Sequence, residues 1–420
     1  MHKKILILIF SIVVIISVVT ALGFITSQSS TKETLESPYI ANTDSQNKTQ
    51  LRYPSINVSY NETLKNYKSE NQLVELIFSK CGVDSHCAAD SMIILSKNQT
   101  KQNTIATLNE IVTTIDETGM TCHNQSHHLG EFLYGYIGNL TEALIIADRK
   151  CGGGLYHGVI ENYFQTELFF ERADKDTIPV KESCDVLGTD PYSHIRLECT
   201  HGTGHGLLRA YDFDVFSAVK RCDEFKFSID HRACYRGVFM ENLVEYWEDK
   251  EGAFDEEDIF YPCNRVEDKY ANDCYHYQAQ YILDKNRYFV EDSFDDCEKI
   301  NNDTFEKYCY YGIGIQISFA FVNDIPGLIS TCQKGDPQFA TFCFQGAVVT
   351  TVDQRGIDKA ISLCKILEEK FKEDCYNTVG KWVNTIGADL KARQDMCSKA
   401  ETLEYAEVCN NANPEDLESL

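Results

Sequence analysis

Apolar and polar positions divide this chain into three regimes. An uncharged apolar run extends from Ile5 to about Ile25, preceded by Lys3 and Lys4. Residues 26–68 are rich in Ser, Thr, Asn and Lys and show little apolar periodicity. Beyond them, apolar residues recur at i, i+3, i+4 spacing in short stretches. DVFSAVKRC ending at Cys222 and IDKAISLC ending at Cys364 are examples. That spacing predicts amphipathic helices.

The third regime repeats itself. Cys199 begins CTHGTGHGLLRAY, Cys234 begins CYRGVFMENLVEY, Cys274 begins CYHYQAQYIL and Cys309 begins CYYGIGIQISFAF. Cys343 and Cys375 open similar segments, giving a period of about 32 to 40 residues. Each of these cysteines has another 11 to 15 residues upstream. The expected pairs are Cys184 with Cys199, Cys222 with Cys234, Cys263 with Cys274, Cys297 with Cys309, Cys332 with Cys343, Cys364 with Cys375, and Cys397 with Cys409. In this reading the upstream cysteine closes one helix and the downstream cysteine opens a second. Adjacent helix ends meet the ~5.5 Å Cα separation that a disulfide needs. Each crosslink contributes on the order of 3 kcal/mol by constraining the unfolded chain. A two-helix unit cannot bury its own apolar face, so stacked units form a solenoid. The expected fold is therefore all-α, a solenoid-like array of disulfide-linked helical hairpins. In the N-terminal part, Cys81 with Cys87 and Cys122 with Cys151 are the remaining candidate pairs.

The first regime is long enough to span a bilayer, which takes ~20 apolar residues. It is read as an anchor over residues 5–25, with residues 1–4 in the cytoplasm and the bulk of the chain outside. Cleavage near Ala21 or Gly23 would make the protein secreted instead. Residues 26–68 read as a flexible linker, 69–409 as the repeat region and 410–420 as an acidic tail. Eighteen cysteines with no Cys-x-x-Cys spacing fit an oxidising compartment rather than zinc ribbons. Asn47, Asn57, Asn61, Asn98, Asn124, Asn139 and Asn302 lie in N-x-Ser/Thr sequons, as a glycoprotein would have. A net charge of -25 argues against a nucleic-acid partner.

Candidate chemistry lies in the histidines. Three repeats read Cys-x5-His-x5-Tyr: Cys122 with His128 and Tyr134, Cys151 with His157 and Tyr163, Cys199 with His205 and Tyr211. Later repeats place Met240, Gln280, Ile315, Val349 and Lys381 at the histidine position. That divides the array into a histidine-rich half, 119–211, and a scaffold half, 212–409. Equivalent positions on stacked helices project from one face. His123 with His127, and His201 with His205, are spaced i, i+4, so each pair shares a helix face. Glu161 follows His157 by four residues and Glu131 follows His128 by three. Imidazoles with one or two carboxylates suit Zn, Cu or Fe. His128, His157 and His205 are the expected ligands of a divalent transition metal, with His123, His127 and His201 as further ligands or supporting groups. Glu131 or Glu161 would serve as carboxylate ligand or general base.

Two features bear on whether these histidines meet. Neighbouring helices usually lie about 8–10 Å apart, so three consecutive repeats converge only in a tightly curved array or closed bundle. Otherwise His201 and His205, joined by His157, form the more reachable set. Gly130, Gly158, Gly204 and Gly206 cost roughly 1 kcal/mol each in a helix interior, which implies close helix packing or room for a ligand. The acidic stretch Glu245 to Asp258 lacks an EF-hand pattern and reads as a solvated loop. The functional expectation is a membrane-anchored extracytoplasmic metal-binding protein, with metal-dependent hydrolysis and redox chemistry both open. The alternative is a non-enzymatic surface scaffold that binds a protein or glycan, with structural histidines.

Overall fold

The computed structural model describes residues 42–43, 49–51 and 71–413. Short breaks fall at 83, 118–122, 148–149, 165, 167–175, 177, 188–192, 249–251, 322–323 and 387–389. The apolar run 5–25, Cys122 and most of the acidic tail therefore lie outside the described residues. Among the described residues no helix is long and apolar enough to cross a membrane.

The described chain is all-helical apart from one two-stranded ribbon. Three helices lead in: α1 (Gln72–Cys81), α2 (Ser85–Ser96) and α3 (Lys101–Glu117). A row of longer inner helices then follows. It comprises α4 (His123–Ile137), α6 (Gly154–Tyr163), α7 (His194–Ala210), α9 (Ser228–Glu248), α10 (Asp268–Lys285), α12 (Asp303–Ala320), α14 (Ala340–Arg355), α16 (Glu369–Ile386) and α18 (Leu403–Asn411). Shorter outer helices connect them: α5 (Leu140–Ile146), α8 (Val215–Arg221), α11 (Val290–Cys297), α13 (Ile325–Cys332), α15 (Ile357–Ile366) and α17 (Leu390–Cys397). Side-chain caps start several of these. Asp214 accepts from the backbone N–H groups of Phe216 and Ser217, Asn302 from Thr304 and Phe305, and Asp324 from Gly327. Such caps contribute about 1 kcal/mol each.

All seven expected disulfides of the repeat region form, as does Cys81–Cys87, with Cα separations of 5.4 to 5.9 Å. Cys151 is also disulfide-bonded. The pairing expected for Cys122 lies outside the described residues. Two details depart from the sequence reading. The downstream cysteine does not open its helix; the helix begins three to six residues earlier. Nor are all upstream arms helical. Cys184 lies between the short 3-10 turns Val180–Glu182 and Asp185–Leu187, and Cys263 lies in a run of turns. Pro179 and Pro262 remove the backbone donors a helix would need there. The disulfide still brings each arm to its inner helix.

The aromatics that follow the repeat cysteines form the continuous core. Tyr235, Tyr275, Tyr310, Phe344 and Tyr376 are each at most 4% exposed. The glycines set the spacing of the inner helices. A Cβ on Gly158 would lie 1.8 Å from the His127 carbonyl oxygen, and one on Gly130 would lie 2.3 Å from that of Leu155. Gly204 and Gly237 face the backbones of each other's helix in the same way, at 2.1 Å from Cys234 O and 1.9 Å from His201 O. These contacts run in the same direction along both helices, so neighbouring inner helices are parallel and aligned in the register of their cysteines. Gly312, Gly314 and Gly346 repeat the arrangement along the scaffold half. Of the two roles open to these glycines, close helix packing is the one observed.

The array is also sharply curved. The turn Cys151–Gly153, just before α6, packs against α3 and against α14, the fifth inner helix after α6. The described part of the expected linker is docked rather than free. Asn42–Thr43 pairs antiparallel with Thr49–Gln50. The backbone N–H of Thr49 donates to the Glu291 carboxylate at 2.8 Å, and that of Leu51 to the Tyr288 carbonyl at 2.8 Å. Leu51 is buried, which a single apolar side chain in a polar segment can achieve without visible periodicity.

Candidate metal centre

Three parallel inner helices build the site. From α4 come His123 and His127, from α6 His157 and Glu161, and from α7 His201 and His205. Close packing through Gly130, Gly154 and Gly158 draws α4 onto α6. Their imidazoles meet across an interface that ordinary side chains would have held wider.

The tightest set is His123, His127 and His157. His123 Nε2 lies 3.1 Å from His127 Nε2 and 3.2 Å from His157 Nδ1, and His127 Nε2 lies 3.3 Å from His157 Nδ1. Nitrogens bound at about 2.0–2.1 Å to one tetrahedral ion sit about 3.3 Å apart. The second nitrogen of each ring is engaged elsewhere. His123 Nδ1 is 3.0 Å from the Cys151 carbonyl oxygen, His157 Nε2 is 2.8 Å from Glu198 Oε2, and His127 Nδ1 is 3.0 Å from Glu161 Oε1. A carbonyl or carboxylate at one nitrogen fixes the N–H there and leaves the other as a lone pair, as at His123 and His157. Those two lone pairs then face each other, with His127 Nε2 beside both.

His157 is also grouped with His201 and His205, the set that sequence spacing marked as most reachable. Ring centroids are 4.6 Å apart for His157 and His201, 5.1 Å for His157 and His205, and 4.9 Å for His201 and His205. A third group joins His127, Glu161 and His205. The Nε2 atoms of His201 and His205 and both carboxylate oxygens of Glu161 are buried without a hydrogen-bond partner. A buried polar group left in this state costs roughly 1–3 kcal/mol. Glu161 Oε1 is near His127 Nδ1 and, at 3.5 Å, His205 Nδ1, but neither approach has hydrogen-bond geometry.

The electrostatics keep His201 and His205 in ligand form, whereas at His127 burial is outweighed by Glu161 and the ring's pKa is raised. Burial, and then the neighbouring imidazoles, hold His201 and His205 well below the ordinary histidine range, so both are neutral at pH 7. Burial opposes ionisation of Glu161, but His127 and Arg209 outweigh it and keep the carboxylate charged. Burial raises Glu241, helped by the charge of Glu161 and opposed by Arg209. Glu241 Oε2 accepts from His205 Nδ1 at 2.7 Å, and its other oxygen accepts from Arg209 Nε.

His128 and Glu131 do not join the cluster. His128 Nδ1 lies 3.3 Å from Glu131 Oε2, and its ring stacks on His86 at 3.7 Å. Together with Asp90, Phe132 and Asn162 they line a separate cleft of about 470 Å³. The reason is angular. Successive residues of an α-helix are about 100° apart, so His127 and His128 occupy different edges of α4. The edge facing α6 carries His123 and His127. Counting from the cysteine misleads here because Cys151 lies in a 3-10 turn, with φ of 58° at Cys151 and 78° at Gly153. His157 is thus not in the phase that a regular helix from Cys151 would give.

Glu198, Arg209 and Glu241 were not singled out from the sequence. The signals available were weak. Arg209 continues the His201–His205 face by four residues, and Glu198 precedes His201 by three. No family model, curated protein or solved structure matches this chain.

Proposed function

We propose that this chain is an extracytoplasmic metalloprotein, held at the membrane by its N-terminal apolar run, that binds a transition-metal ion in the buried histidine cluster. The observation that carries this reading is the triangle of His123 Nε2, His127 Nε2 and His157 Nδ1, with sides of 3.1 to 3.3 Å. His123 and His157 have their other nitrogens occupied. Without a cation, their lone pairs would repel at 3.2 Å. The donor set is imidazole with carboxylate and no thiolate, which suits Zn, Cu or Fe. Glu161, rather than Glu131, is the carboxylate in position to serve as ligand or base.

Burial favours one kind of chemistry. His157, Glu161 and His205 are each at most 2% exposed. A centre so enclosed suits electron transfer or reaction of a small molecule better than hydrolysis of a polymer. The outside location rests on the eight described disulfides, the lysines preceding the apolar run and the sequons.

The test is metal content. The full chain, made without a polyhistidine tag in an oxidising compartment, is offered Zn, Cu and Fe, dialysed and assayed by elemental analysis. Tightly bound metal that is reduced or lost in His157→Ala, the residue common to both triads, supports the proposal. A metal-free wild-type chain would favour the scaffold alternative, with histidines that only pack.

A further inference from the structure

The cluster holds more donors than one ion can use. Its five imidazoles and Glu161 divide into three overlapping triads, and within each the ligand atoms lie within 4.8 Å of one another. An ion with bonds of about 2.1 Å needs all its donors within about 4.2 Å of one another. The triad His123, His127, His157 and the triad His157, His201, His205 have only His157 in common.

Placing one ion in either triad leaves the other unexplained. An ion among His123, His127 and His157 leaves the Nε2 atoms of His201 and His205 buried and unpartnered. An ion among His157, His201 and His205 leaves His123 Nε2 facing His127 Nε2 at 3.1 Å. The surroundings also carry charge for more than one cation. Glu161, Glu198 and Glu241 all contact histidines of the cluster, and Arg209 pairs with Glu241. In addition, His127, Glu161 and His205 form a group that spans the two triads. A carboxylate with two unpartnered oxygens thus lies beside one histidine of each triad, 3.0 Å from His127 Nδ1 and 3.5 Å from His205 Nδ1.

Resting on the metal-binding reading above, we propose that the centre is dinuclear. One ion is held by His123, His127 and His157. The second is held by His201 and His205 beside the shared His157 ring. Glu161 supplies buried negative charge beside one histidine of each position, His127 and His205.

The experiment is a stoichiometry measurement on the tag-free full chain. Zn is titrated into chelator-stripped protein, and tightly bound equivalents are counted by elemental analysis after dialysis. The result expected is two per wild-type chain, falling to one in His123→Ala and to one in His201→Ala. In a parallel sample loaded with Cu(II), the electron paramagnetic resonance spin count of the wild type should fall below its copper content. Each single-site variant should recover one full spin per copper. One equivalent in the wild type, with a spin count equal to copper, would overturn the dinuclear centre but leave the metal site standing. No bound metal at all would remove both. The wild-type count decides the question even if a variant fails to fold.

Discussion

Gly158→Ala should disable the metal centre by adding a single carbon. The new Cβ would lie 1.8 Å from the His127 carbonyl oxygen, 2.6 Å from its carbonyl carbon and 2.9 Å from the Glu131 backbone nitrogen. All three are backbone atoms, so no rotamer change relieves the clash. A carbon–oxygen contact needs about 3 Å or more, so α4 and α6 must separate by roughly 1 Å. Overpacking of this kind costs about 1–3 kcal/mol, against which alanine returns up to about 1 kcal/mol of helix propensity. The fold should therefore survive with a modest loss of stability. The centre should not, because metal–ligand bonds tolerate only about 0.2 Å. His123 and His127 on α4 would move away from His157 on α6 by several times that amount. Gly346→Ala is the matched control. Its Cβ would lie 2.0 Å from the Tyr311 carbonyl oxygen, in the scaffold half. Thermal melting and metal retention are measured on both. Both variants should be destabilised to a similar degree, with metal affinity reduced by at least about tenfold only in Gly158→Ala. Wild-type metal affinity in a folded Gly158→Ala would refute the claim that glycine packing builds the site.

His128→Ala should leave metal content at the wild-type level, since the ring belongs to the cleft with His86 and Glu131; elemental analysis checks this. Asp230→Ala should cost about 3–5 kcal/mol in denaturant unfolding, because it leaves the buried Arg196 guanidinium without its main partner, 2.7 Å away. Burial would raise the Asp273 carboxyl, but Arg232 and Arg236 outweigh it and hold it below the usual range. Its contribution to stability is therefore full above the unfolded carboxylate value of about 4 and is lost as pH falls through the folded value. Asp273→Asn should flatten that part of an acid-unfolding curve. Replacing Cys364 and Cys375 together by serine should cost about 3 kcal/mol in thermal unfolding while leaving bound metal unchanged.

The fold was legible where one physical rule acts locally. A cysteine 11 to 15 residues from its partner, flanked by helical periodicity, is enough to pair the repeat, and all seven expected pairs form. Helix starts were less legible because the caps, such as Asn302, lie several residues before the cysteine. The arms at Cys184 and Cys263 failed as helices through backbone chemistry that periodicity does not report. At the site, His201 with His205 and His123 with His127 followed from i, i+4 spacing alone. The choice between His127 and His128 did not, because it depends on how α4 is rotated about its axis. Glu198 and Glu241 carry only weak local signals in the sequence. Their partners, His157 and His205, lie 41 and 36 residues away. Stacking of adjacent inner helices brings such residues together, and no local pattern marks which charges face the neighbouring helix.

The most direct measurement is anomalous diffraction from crystals of the metal-loaded chain, collected at the absorption edge of the bound metal. The account predicts an anomalous peak inside the cluster, about 2 Å from a ring nitrogen of His157 and from nitrogens of its neighbouring histidines. A peak confined to the His128–Glu131 cleft, or no peak near His157 in metal-loaded crystals, would contradict it.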